Sequence, residues 1–202
     1  LGRFHSDGNF SYRKVMKDLP EKMEEVFTAV AKVPEEEDNT GKPKLTVLIG
    51  PPASGKSTWL KDNMSDDVVV ISRDNLVVEA GKKRGLDYNM SFKFFMRNRK
   101  AADEEVDGVL TKQVHEARDA GKSVVIDMTN LTKKGRRRWN NEFSKYDRKA
   151  VFFGVGLNTL INRCEQRFLD TGKFIPSQVV FRMCMNFSLP LKSEDYSDIE
   201  YV

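Results

Sequence analysis

The residues best placed to do chemistry are Gly50-Pro51-Pro52-Ala53-Ser54-Gly55-Lys56-Ser57-Thr58, a glycine-framed loop ending in a lysine and a hydroxyl. Small residues let successive backbone N–H groups turn inward around a polyphosphate, and Gly50 and Gly55 supply the permissive backbone. Lys56 would then reach the terminal phosphates, and the Ser57 hydroxyl is placed to ligate Mg²⁺. Phosphoryl transfer also needs a group that orients or deprotonates the acceptor, and positive charge on the oxygens in flight. Asp74 is the candidate base, or else the cap of the helix after Ser72. Asp127 either holds Mg²⁺ through water or contacts the acceptor. Arg163 and Arg167 are four residues apart and share one helix face, from which they would close over the phosphates; the bland alternative is a solvated pair. Lys133, Lys134, Arg136, Arg137 and Arg138 form the densest basic cluster, suited to a phosphodiester backbone or to a solvated helix start.

These residues need a frame. Lys44–Ile49 is an apolar run leading into the glycine loop, and Thr58 to Asn63 is helix-like, so the segment reads as strand, phosphate loop, helix. The β-branched runs 67–72, 122–127 and 150–155 are short and continuously apolar, as in buried parallel strands. Asp74 and Asp127 follow two of them, at the carboxyl ends where open α/β sheets place ligand chemistry. Helical patterns fill the intervals: 90–118 with Phe94, Phe95, Val106, Val109, Leu110 and Val114 as core, 132–145, and 157–169. The alternation predicts an α/β fold, a three-layer sandwich of the P-loop NTPase type with a mostly parallel sheet. Residues 1–43 are set apart as an extension: a predicted amphipathic helix over 19–33, then a charged Pro/Gly linker, with the kinase-like domain spanning 44–202.

Across 202 residues the net charge of +4 permits a polyanionic partner through local patches without demanding one. Two cysteines, Cys164 and Cys184, lack metal spacing and read as buried thiols of a reducing compartment. No run reaches the roughly 18 apolar residues of a membrane span, and a signal-peptide pattern is lacking. A soluble intracellular protein with no membrane partner is expected. The chain opens on Leu1 rather than Met, which leaves room for further domains upstream.

The ordered set Gly50–Trp59, Ile71-Ser-Arg-Asp-Asn75, Ile126-Asp-Met-Thr-Asn130 with its following arginines, Arg163-x-x-x-Arg167 and the closing 185–199 resembles the polynucleotide 5′-hydroxyl kinases of the bacteriophage end-healing type. That resemblance implies ATP or GTP as donor, Mg²⁺, and the hydroxyl end of a DNA or RNA strand as acceptor. It implies Asp74 as general base, Lys56 and Ser57 on donor and metal, and Arg167 on the donor phosphates with Arg163 nearby. Asp127, Thr129 and Asn130 would lie near the acceptor, with Arg73, Arg136 and Arg137 as further contacts. One position departs from the family. Val77 stands where the family commonly has an arginine for the acceptor phosphate, so either Arg84 or one of Arg136 to Arg138 replaces it, or the acceptor is a modified base or a nucleoside. The stretches Asn186–Pro190 and Ile199–Val202 also resemble the kinase-like domain of U-type nuclear ribonucleoprotein scaffolds, which use this fold for binding. The retained Arg73-Asp74 pair favours an enzyme over a scaffold.

Overall fold

A computed structural model describes residues 41–202. The predicted helix over 19–33 falls outside them. Five strands form one sheet in the order β2-β3-β1-β4-β5: β1 is Lys44–Ile49, β2 Val69–Ile71, β3 Val124–Ile126, β4 Asp147–Phe152 and β5 Asp198–Tyr201. Strand β1 lies at the centre, parallel to β3 with Val47 opposite Ile126, and parallel to β4 with Leu48 opposite Val151. Strand β2 runs parallel to β3. The bonds Ser197 N–H to Arg148 O and Val202 N–H to Phe152 O advance together along both chains, so β5 continues the parallel sense.

Central position explains the composition of β1. Its residues from Leu45 to Ile49 are buried, because helices cover both faces of a parallel sheet. On one face Leu48, Val125 and Val151 pack with Phe153 against Trp59 and Leu60 of helix α1, Lys56–Asn63. Helices α2 (Arg73–Lys83) and α3 (Tyr88–Arg97) follow β2. They approach so closely that a Cβ on Gly81 would stand 1.8 Å from Ser91 Oγ; only glycine fits there, and the contact sets α2 against α3.

The predicted helix over 90–118 is interrupted rather than continuous. A short helix α4, Arg99–Ala102, passes through a π-turn, Asp103–Asp107, into α5, Gly108–Asp119. Phe95, Val106, Leu110 and Val114 are core, Phe94 is half-buried, and Val109, at the edge of the face that Val106, Leu110 and Val114 share, is exposed. Helix α6 is Lys133–Glu142 and α7 is Leu157–Thr171. Helix α8, Ser177–Met185, and strand β5 were not anticipated from the sequence. Cys164 is buried and Cys184 only partly so; both are free thiols. Among the described residues no helix is long and apolar enough to cross a membrane.

Candidate phosphoryl-transfer site

The carboxyl ends of β1, β2 and β3 deliver the loop 50–55, Asp74 and Asp127 to one edge of the sheet. Gly55 takes a φ of 111°, a left-handed conformation that frees the chain to turn into α1, and its carbonyl accepts the N–H groups of Thr58 and Trp59. Ser57 and Thr58 stand exposed at the start of α1, where the helix dipole favours an anion. Lys56 folds back over the loop and donates from Nζ to the carbonyls of Gly50 and Pro51, each at 2.8 Å. Burial lowers its pKa to about 8, against the pull of Asp127 and Asp74, while Arg167 adds to the lowering.

Asp74 lies in the first turn of α2, whose cap is Ser72, so its carboxylate is not spent on capping. The residue is exposed, yet the cleft walls desolvate its carboxyl and raise its pKa; Lys56, Arg73, Arg167 and Lys173 oppose that rise. Asp127 is raised in the same way, chiefly by desolvation, with Lys56 opposing and Asp74 adding to it. Lys56, Asp74, Asp127 and Arg167 therefore share one electrostatic neighbourhood drawn from four elements. A cleft of about 270 Å³ opens beside it, lined in part by Asp74, Tyr88, Lys82, Arg167 and Lys173.

Helix α7 brings both predicted arginines, in different roles. Arg167 lines the cleft, whereas Arg163 reaches the loop itself, donating from Nη1 to the Ala53 carbonyl at 3.4 Å. Arg73, expected at the substrate, is instead held by Asp107 of the π-turn, Nε to Oδ1 at 2.7 Å and Nη2 to Oδ2 at 3.2 Å. That bidentate pair is the contact least visible beforehand, since Asp107 sits 34 residues away on an irregular turn.

Two expected acceptor contacts are structural. Arg136 is 0% exposed. Its five N–H groups meet Glu194 Oε2 at 2.9 Å, Glu194 Oε1 at 2.7 Å, and the carbonyls of Asn130, Ser188 and Leu189 at 3.1, 2.9 and 3.1 Å. A guanidinium has five donors, so none remains for a substrate. Asn130, also buried, donates from Nδ2 to the Leu48 carbonyl at 2.8 Å and accepts from Trp139 Nε1 at 3.0 Å, tying β1 to α6. Thr129 keeps a partly exposed side chain, and its carbonyl accepts the Gly50 N–H at 3.0 Å. The segment after β3 thus buttresses the phosphate loop. Lys133, Lys134, Arg137 and Arg138 remain exposed.

Of the replacements expected for the missing arginine, Arg84 and Arg136 are spent, whereas Arg137 and Arg138 stay exposed. Val77 is 1% exposed in the core, and Arg84 pairs with Glu105 while its guanidinium lies 4.9 Å from the centre of the Phe94 ring. Cations that face the cleft are Lys82, Arg167 and Lys173.

Among the described residues no group of three or more His, Cys, Asp or Glu could hold a metal. One hydroxyl from Ser57 and one carboxylate from Asp127 are nonetheless a hard-oxygen pair of the kind Mg²⁺ accepts when waters and phosphate oxygens supply the remaining ligands. The donor set fits an ion that arrives with a nucleotide.

The lowered Lys56 pKa makes an opposed pair of pH effects. Between pH 8 and about 10 the unfolded chain keeps a proton that the folded lysine has lost, so stability gains from this residue as pH rises. Affinity for a nucleotide whose phosphates Lys56 meets should move the other way over the same window, falling towards tenfold per pH unit, because only the protonated amine draws the phosphates. Calorimetry and thermal unfolding in EDTA check both, and Lys56→Met should flatten both slopes.

Similarity to known proteins matches this architecture. The chain is 26% identical over 189 residues to heterogeneous nuclear ribonucleoprotein U-like protein 2 of Mus musculus, covering 88% of this chain and 25% of that protein. It therefore spans about a quarter of the length of the curated relatives it matches. Among solved structures, a chain of the Pnkp1/Rnl/Hen1 RNA repair complex superposes with a TM-score of 0.56 at 23% identity, over 75% of this chain and 46% of that one. Kti12 from Chaetomium thermophilum, solved with ADP-AlF3, gives 0.51 at 13% identity, over 78% and 88%. Both likenesses establish the fold, a mostly parallel α/β sandwich. A family profile described as an AAA domain matches residues 45–190, most of the chain and the whole of the site built above, and the chain belongs to that family.

Proposed function

We propose that this chain is a nucleoside-triphosphate-dependent kinase that passes the γ-phosphate to a hydroxyl of a nucleic acid, the 5′ end of a DNA or RNA strand, as in end healing. The observation that carries the reading is Asp74, a carboxylate not used as a cap, set within the field of Lys56 and Arg167 at the edge of an open cleft. A protein that only held nucleotide would need the loop and Lys56 but no desolvated carboxylate facing the adjacent cleft. Likeness to a chain of an RNA repair complex agrees with a nucleic-acid acceptor.

In this mechanism the loop N–H groups, Lys56 and the start of α1 hold the donor phosphates. Mg²⁺, bound with the nucleotide through Ser57 and Asp127, would supply neutralising charge on its phosphate oxygens. The acceptor oxygen attacks the γ phosphorus as the bond to the β–γ bridging oxygen breaks. Asp74 takes the hydroxyl proton, and the nucleoside diphosphate departs. Desolvation moves Asp74 towards the working pH and makes it a stronger base than an ordinary aspartate. Arg167 meets the charge spread over the transferring group.

The expected result is transfer of label from γ-labelled ATP to 5′-hydroxyl DNA or RNA. Free nucleosides and base-modified duplex complete the panel. The ribonucleoprotein relative supports a second reading, a nucleotide-gated binding module. Strand binding with no label moved to any acceptor would establish that reading and remove the first. Label moved only to nucleosides would make the protein a small-molecule kinase.

A further inference from the structure

The end of α7 and the turn beyond it carry Arg167, Phe168, Lys173 and Phe174, an alternation of cations and large rings. Phe168 is 44% exposed and Phe174 56%, yet the two rings pair edge to face with centroids 5.4 Å apart. Single exposed apolar side chains are ordinary, whereas contiguous ones mark an interaction site, and these two rings are in contact. Loose backbone does not explain the exposure. The Gly172 N–H donates to the Phe168 carbonyl at 2.8 Å, closing the helix. Asn89, at the start of α3, then clasps the turn from the other side: its Nδ2 donates to the Gly172 carbonyl at 2.7 Å and its Oδ1 accepts the Phe174 N–H at 3.0 Å. The rings are thus held out on a turn tied at both ends. Lys173, between Gly172 and Phe174, lines the cleft with its Nζ 5.1 Å from the centre of the Tyr88 ring, and Arg167 lines the same cleft.

We propose that the Phe168–Phe174 pair is a stacking platform for the bases of a single-stranded nucleic acid whose backbone phosphate is met by Lys173 at the cleft. Stacking on π-faces together with a cationic track is how single strands are bound without regard to sequence. The kinase reading supplies the direction of the strand, from the rings towards Asp74, and the proposal rests on that reading only for direction. It also assigns the acceptor class: a strand with at least one nucleotide beyond the reacting end, in place of a nucleoside. Charge complementarity points to a polyanion, since the cations Lys82, Arg167 and Lys173 outnumber the carboxylates Asp74 and Glu79 along the cleft, while Arg84 and Arg136 are engaged elsewhere.

The test uses the full 202-residue chain. Phe168→Ala, Phe174→Ala and the double variant are compared with wild type for anisotropy of a labelled 5′-hydroxyl single-stranded oligonucleotide, KM for that strand, ATP Kd and melting temperature. Each lost stacked base should weaken strand binding and raise KM by roughly five- to 150-fold. The kcat, ATP affinity and melting temperature should hold, and Phe174→Trp should restore binding. Unchanged strand affinity in the double variant overturns the platform, as does a wild-type protein that binds no single strand. So does an equal loss for a mononucleotide acceptor, because that would mark a lid defect. If wild type binds the strand, loses it on Phe174→Ala, and moves no phosphate to any acceptor, the platform stands and the kinase reading falls.

Discussion

Replacing Asp74 with Ala should lower kcat for phosphate transfer by roughly 10²- to 10⁴-fold, the range expected when a positioned general base is removed. ATP affinity should not fall with it. Asp74 contributes negative charge beside Lys56 and Arg167, the two cations proposed to serve the donor, so its loss leaves the phosphates as well held or better held. Equilibrium binding measured alongside single-turnover transfer separates the two quantities. Undiminished transfer would remove Asp74 as the base. Asp74→Asn should also raise the melting temperature at neutral pH. The folded carboxyl has a raised pKa, so the benefit it gives to folding is present when protonated and is lost as pH rises through that value. A permanently neutral amide keeps the benefit, and a carboxylate kept in spite of this cost is what a site under functional demand would show.

Arg136→Ala should destabilise the fold by about 3–5 kcal/mol, because it strips a fully buried carboxylate, Glu194, of its partner and leaves three carbonyls without a donor. For a chain of this size that is a drop of roughly 6–20 °C in melting temperature. Arg137→Ala, one residue on and exposed, should leave the melting temperature nearly unchanged. A double variant, Arg136→Met with Glu194→Leu, should lose less than the sum of its singles, since neither charge is then stranded. Additive losses would mean that the pair is not coupled.

These two arginines show what sequence could and could not carry. Residues bound to a local motif were legible: the order Gly50 to Thr58 dictates its own turn and helix, and apolar runs ending at Ser72 and Asp127 put polar residues on a strand's carboxyl end. Basic residues inside a run were not. Lys133 to Arg138 read as one patch, and only the helical phase of α6 against Glu194, 58 residues on, decides that Arg136 turns inward while its neighbours stay in solvent. Asn130 failed in the same way, because its partners Leu48 and Trp139 meet it only after the sheet has formed. Strand β5 is four residues, Asp198–Tyr201, with acidic residues at alternate positions, too short and too charged to announce a strand before β4 offers it an edge. Asp107 was invisible for another reason, since a π-turn has no periodic signature.

That turn sets an angular condition on the site. Each residue of an α-helix rotates the chain by about 100°, so one residue removed from 103–106 to leave plain α-helix would turn α4 by about that angle relative to Asp107 and α5. With α4 kept in its packing, Asp107 turns with α5 away from Arg73, which loses the carboxylate that holds it at the head of α2, directly beside Asp74. The length of this turn, together with the Asp107 carboxylate it carries, is what the head of α2 depends on.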